Sequence, residues 1–113
     1  MTQYLISFDE AAMVLPEGEL LEVAKAAHAV EQEAKDAGVW VFGGGLKDHG
    51  EASVVGTDGA VSDGPEGDGT GHLGGFAVVD VASRDDAVKW AARIAQACRC
   101  PQQVREFMPD PTA

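Results

Sequence analysis

Residues 76 to 81, Phe-Ala-Val-Val-Asp-Val, are apolar on both sides of an extended chain except at Asp80. Such a strand belongs inside a sheet covered on both faces, because either face left open would show Phe or Val to water. Residues 39 to 42, Val-Trp-Val-Phe, make a second run of this kind, broken by Gly43-Gly44-Gly45. Whatever this chain folds into must therefore cover a sheet twice.

The rest of the sequence supplies cover for one face only. Residues 3 to 8 alternate Tyr4, Ile6 and Phe8 with mixed neighbours, a strand pattern. Over residues 17 to 37 the apolar positions Leu20, Val23, Ala27, Val30, Ala34 and Ala37 step by three or four, which predicts a helix. Gly38 is placed to end it, and Glu17, Glu19 and Glu22 complement the dipole at its start. Residues 52 to 62 read as a hairpin, with Asp58-Gly59 as a two-residue turn. Ser83 followed by Asp86 opens a second helix running to about Cys98, with Ala87, Trp90, Ala91, Ile94 and Ala95 inward. Pro101 stops it, residues 103 to 108 form a last strand, and residues 109 to 113 are a fraying tail. The order β-α-β-hairpin-β-α-β is that of an α+β, ferredoxin-like split βαβ sandwich, one domain spanning residues 1 to 113. Two helices cover one face of four strands, so the second face calls for a second copy: a homodimer closed sheet to sheet, a dimeric α/β-barrel-like assembly.

Eight Lys and Arg stand against 19 Asp and Glu, a formal charge of −11. That balance repels phosphate backbones and anionic lipid heads, so neither nucleic acid nor a membrane surface is an expected partner. The first residues, Met-Thr-Gln-Tyr, lack the basic and apolar regions of a signal peptide, and no run reaches the roughly 18 apolar residues of a span. A cytoplasmic protein is expected. Cys98 and Cys100 are too close for an easy disulfide and too few for a zinc site, so both read as reduced structural thiols.

Residues 63 to 76, Asp-Gly-Pro-Glu-Gly-Asp-Gly-Thr-Gly-His-Leu-Gly-Gly-Phe, carry the most distinctive signature. Asp63-Gly64-Pro65 and, further on, Leu73-Gly74-Gly75-Phe76 resemble the DGPF segment of the YCII-related proteins. The wider resemblance runs from Tyr4-Leu5 through Gly38-Val39 to residues 91 to 94. The chain departs from the pattern at Glu66, where the family has Phe, and at Gly67-Asp68-Gly69-Thr70-Gly71, which replaces an Ala-Glu-Thr-Lys-Glu run. Residues 66 to 71 are therefore expected to be the most mobile internal segment. The resemblance implies a dimeric α/β sandwich, and it implies that a histidine on the first helix with an aspartate could form an acid/base centre. It also implies a regulatory alternative, since DGPF-type proteins are often encoded beside extracytoplasmic sigma factors.

Candidate site residues follow from both readings. His28 lies on the first helix, about 130° from the centre of its apolar stripe at about 100° per residue, and is the residue matching the family's helix histidine. His72 stands at the mouth of the third long strand, where Gly74 and Gly75 let a ligand approach backbone. A histidine titrates near neutrality and serves as acid, base or ligand, and an aspartate orients it. Asp63 and Asp80 are the candidate partners. Their ordinary alternatives are a carboxylate bonded into its own turn at Asp63 and an end-of-strand cap at Asp80. Trp40 and Phe42 are expected as the apolar wall. His49, in Lys47-Asp48-His49-Gly50, reads as a turn residue.

The glycine loop is not a phosphate loop, because it precedes a strand and carries acids. Among ions, calcium suits Asp63, Glu66, Asp68 and Thr70 best, but the spacing is not that of an EF-hand, and no metal or organic cofactor is expected. Two functions remain open: a small-molecule enzyme using a His–Asp acid/base pair, or a non-catalytic module that binds a metabolite or a protein partner such as an extracytoplasmic sigma factor.

Overall fold

A computed structural model describes residues 1–64 and 71–112 of the chain. In order, the elements are β1 (Thr2–Asp9), α1 (Leu20–Asp36), β2 (Trp40–Gly45), β3 (Ser53–Val55), β4 (Val61–Asp63), β5 (Leu73–Val81), α2 (Arg84–Cys98) and β6 (Gln103–Glu106). Short 3-10 turns lie at Glu10–Ala12 and His49–Glu51. Four strands form one sheet in the order β2-β5-β1-β6, with every neighbouring pair antiparallel, and β3 and β4 pair only with each other. This α+β arrangement is compatible with the ferredoxin-like order expected from the sequence. The expectations for mobility at residues 66 to 71 and for calcium at Glu66, Asp68 and Thr70 fall largely on residues 65 to 70, outside those described.

Register sorts the side chains. Tyr4 and Ile6 of β1 lie opposite Val79 and Ala77 of β5, so these four share a face, and with Val81, Ala87 and Ala91 they make the buried core. Alanine at positions 87 and 91 lets α2 lie close against the sheet. Ser83 Oγ accepts from the Asp86 N–H at 3.2 Å and starts that helix. By contrast, α1 runs mainly along α2 and meets the sheet chiefly at β2. Ion pairs Glu33–Arg93 and Glu19–Arg99 tie the two helices together. Only Val23 and Ala34 of α1 are buried, and Leu20 is 68% exposed. Its first turns therefore stand away from the sheet and leave a cleft.

Four expectations are corrected. The glycines of residues 43 to 45 do not break β2; they pair with Ala77, Phe76 and Gly75 of β5. A Cβ at Gly43 would lie 2.6 Å from the Phe76 carbonyl oxygen and 2.8 Å from the Trp40 ring, so glycine there admits the indole rather than ending the strand. Likewise β5 begins at Leu73, because Gly74 and Gly75 lie beneath the Phe8 ring, which a Cβ would approach to 2.5 and 2.8 Å. The hairpin turn also differs from a two-residue loop. Gly56 N–H donates to the Ala60 carbonyl, Gly59 N–H donates to the Gly56 carbonyl, and Gly59 has φ +84°. That is a three-residue loop with glycine in the left-handed position, and the Asp58 carboxylate fixes it by accepting from the Ala60 N–H at 2.9 Å. The last strand, finally, stops at Glu106 rather than residue 108.

A register shift between Trp40 and Phe42 has a larger effect. Trp40 pairs with Val79 but Phe42 pairs with Val78, so the two aromatics, which simple alternation would place together, point to opposite faces. Phe42 joins Leu5, Phe76 and Val78 on the face away from the helices. It is 65% exposed, with its ring centroid 6.1 Å from that of Phe76. Asp80 shares this face, as strand alternation predicts, and its Oδ1 is buried without a hydrogen-bond partner among the described residues.

Gly43→Ala should lower stability by about 1–3 kcal/mol, since the new methyl meets backbone atoms that cannot yield. Gly44→Ala, with nothing within 4 Å of its Cβ, should shift stability by about 0.5 kcal/mol or less. Urea unfolding of the two variants compares them directly.

Candidate functional site

Antiparallel pairing brings three strand ends to one edge of the molecule. The end of β1 lies beside the start of β5, and the end of β2 lies on the other side of that start. Residues following β1, following β2 and preceding β5 are therefore neighbours however far apart in sequence. Backbone bonds lock them together: Glu10 N–H donates to the His72 carbonyl at 2.8 Å, and Leu46 N–H to the Gly74 carbonyl at 2.8 Å. Asp9 adds a clasp, accepting from Ala11 N–H at 3.1 Å and from Gly71 N–H at 2.9 Å.

On this frame sits a histidine–carboxylate pair. His49 Nδ1 lies 2.9 Å from Glu10 Oε2, and the His49 backbone N–H also donates to the same carboxylate, at 3.1 Å to Oε1. Both side chains are more than three-quarters buried, at 21% and 23% exposure. Partial burial and two donors from one residue hold this pair more firmly than a surface ion pair. The His72 ring stacks on His49 with centroids 4.9 Å apart and planes 4° from parallel. Asp48 stands alongside with Oδ1 3.8 Å from His49 Nδ1. The Gly50 N–H holds the Asp48 carboxyl below its usual range, aided by Glu10 and by the nearby His49.

Two hollows meet at this pair. A cleft of about 510 Å³ opens between α1 and the sheet, bordered by Phe8, Glu10, Leu20, Trp40 and Phe76. A second hollow, also about 510 Å³, is bordered by Asp48, His49, His72 and Leu73. Glu10 faces the first, His49 the second, and Leu46 borders both. Glu10, Asp48 and His49 each offer a ligand atom, all within 4.8 Å of one another, so a cation could bridge them. In the structure Glu10 is already satisfied by donors from His49.

Of the residues proposed from sequence, His28, Trp40 and Gly74 border the cleft, and His72 borders the second hollow. The His28 side chain is 83% exposed and lies 3.9 Å from Glu31 Oε2. Gly75 lies under the Phe8 ring, and Phe42 is on the opposite sheet face. Asp63 is exposed on β4 opposite Ser53, and Asp80 is on the face away from the helices. Among the described residues neither aspartate bonds a histidine. Sequence reading missed Glu10 and took His49 for a turn residue. The residues are 39 positions apart, and nothing in their spacing couples them. The signal lay in topology, since the predicted strand order already sends both to the same edge.

An antiparallel four-stranded sheet with two helices, and a histidine–carboxylate pair where three strand ends converge, defines a small α+β protein with a polar site at the sheet's edge. The chain belongs to the YCII-related domain family, whose model matches residues 2–99. No curated protein matches it. Among the described residues no helix is long and apolar enough to cross a membrane.

Cys98 borders the cleft, and both it and Cys100 are buried free thiols. Burial pushes each above its usual value of 9.0, with Cys100's charge adding to the effect at Cys98. The protonated thiols' contribution to stability is thus intact below the unfolded value and is lost as pH rises through the higher folded one. Folded protein should react with a thiol reagent at neutral pH far more slowly than urea-unfolded protein. Stability measured by denaturant unfolding should fall as the pH passes 9, and Cys98→Ala/Cys100→Ala should flatten that fall.

Proposed function

We propose that this protein is a small-molecule enzyme in which His49 moves a proton and Glu10 orients and charges it. The hydrogen bond from His49 Nδ1 to Glu10 Oε2, 2.9 Å long at the junction of two cavities, carries the reading. A carboxylate accepting from Nδ1–H selects the tautomer with its basic lone pair on Nε2 and stabilises the imidazolium once a proton arrives. The His72 ring, stacked on His49, restricts its rotation. In this scheme the ligand's body lies in the apolar cleft and its reacting end reaches past Leu46 to His49. The roles first assigned to His28, Asp63 and Asp80 pass to this pair. His28 remains a residue of the cleft rim, and Trp40 and Gly74 remain candidate ligand contacts.

The working unit in this reading is a homodimer closed through the sheet face bearing Leu5, Phe42, Phe76 and Val78. Its support is the physical cost of leaving Phe42 65% exposed beside Phe76, with both helices committed to the other face. Asp80, whose Oδ1 is buried and unpartnered among the described residues, would gain a donor from the partner copy.

A thermal-shift screen of metabolites, with each stabilising compound then followed for turnover by NMR, tests the catalytic reading. His49→Ala should lower turnover by about 10²–10⁴-fold, and Glu10→Gln should lower it while moving its pH profile. Turnover indifferent to His49→Ala overturns the assignment. Stabilising compounds that are bound and never transformed would leave a metabolite-binding module.

Light scattering at micromolar concentration should give twice the chain mass. Phe42→Glu should shift the species to the monomer, because it places a charge in the apolar face without touching the helix-side core.

A further inference from the structure

The cleft between α1 and the sheet is chemically one-sided. Phe8 and Trp40 face it from the strands, and Leu20, Val23 and Ile94 from the helices. The acidic groups among the described residues that border it are Glu10 and Glu31; His28 stands at its rim, 3.9 Å from Glu31 Oε2, and none of the lining residues is Lys or Arg. Both carboxylates are largely withdrawn from water, at 23% and 24% side-chain exposure, so water screens their charge only in part. Lys35 reaches Glu31 at 3.4 Å but is itself half exposed and does not border the cleft. Glu10 also accepts from His49 Nδ1 at 2.9 Å. The whole chain carries −11, which adds a field of the same sign.

An anionic ligand would meet two carboxylates, no Lys or Arg and a repulsive field in such a cleft. A cationic one would meet attraction at the polar end and aromatic faces along its length, on which a positive charge is itself stabilised. The volume, about 510 Å³, suits a molecule of one or two rings. We propose that the cleft selects a small apolar amine, a protonated nitrogen on an aromatic or alicyclic body, and rejects carboxylates and phosphates of the same shape. This rests on the preceding reading for where the reaction occurs, and it adds the ligand class. The charged nitrogen lies against Glu10, and the ring lies between Trp40 and the start of α1.

Three probes of matched shape and different charge test it: phenethylammonium, 2-phenylethanol and 3-phenylpropanoate. Each is titrated into the full-length protein while the Trp40 indole resonance is followed, at about 0.15 M salt so that distant charges are screened. Phenethylammonium should bind about tenfold more tightly than 2-phenylethanol, with 3-phenylpropanoate weakest. Glu10→Gln/Glu31→Gln should remove the preference for the amine while retaining the alcohol. Glu31→Gln alone, which leaves the Glu10–His49 bond in place, should weaken it in the same direction. Asp58→Asn/Asp85→Asn, which removes equal charge elsewhere, should leave the preference unchanged. Equal binding of the propanoate, or an amine preference that survives loss of both glutamates, overturns the proposal. His49→Ala separates the two readings: it should lower turnover by about 10²–10⁴-fold yet keep the charge preference. Lost turnover without any preference would sink the ligand class alone, and a preference without a His49 effect on turnover would sink the catalytic assignment alone.

Discussion

Two aromatic rings laid on bare backbone hold this structure in register. Trp40 lies over Gly43, and Phe8 over Gly74 and Gly75, at separations that no Cβ could share. Each ring thus reads the position of a strand: a slip of one residue would set a side chain under it, or turn the ring to the other face. The same two contacts set the floor of the cleft, because a ring resting on glycine lies flat against the sheet where a longer neighbour would lift it. Packing and site geometry here share one cause.

The register in turn places the polar site. With β5 held between β1 and β2, the segments after β1 and β2 are delivered to the two sides of the β5 start, and Glu10 and His49 meet there. Their bond does not have to organise the loops, since backbone bonds from Glu10 to His72 and from Leu46 to Gly74 already do so. Preorganisation of this kind lets a carboxylate orient an imidazole without spending the ligand's binding energy on the task.

Much of the architecture was legible from residue patterns. Alternation in residues 3 to 8, the helical stepping that includes Val23 and Ala34, and the Ser83 cap all express local rules, and each element formed there, although α1 starts at Leu20 rather than residue 17. What escaped were the effects of non-local contact. Gly43-Gly44-Gly45 looks like a break in isolation and becomes strand by pairing with Ala77, Phe76 and Gly75 of β5. The Trp40–Phe42 register shift leaves no mark in an apolar run, so the two aromatics were assigned to one wall although they face opposite ways. His49 was underrated for the same reason. Its turn chemistry is real, with Asp48 accepting from the Gly50 N–H, but its partner follows β1, on the other side of β5.

The β3–β4 hairpin stands outside the four-stranded ladder, with Val54, Val55 and Val61 exposed and its pairing wholly internal. Because the frame β2-β5-β1-β6 closes without it, the hairpin is free to lengthen, shorten or change composition while the glycine-seated rings and the Glu10–His49 bond stay where they are. Evolutionary change can accumulate in this appendage, next to the site it follows in sequence, and leave the proton-handling groups at the sheet's edge untouched.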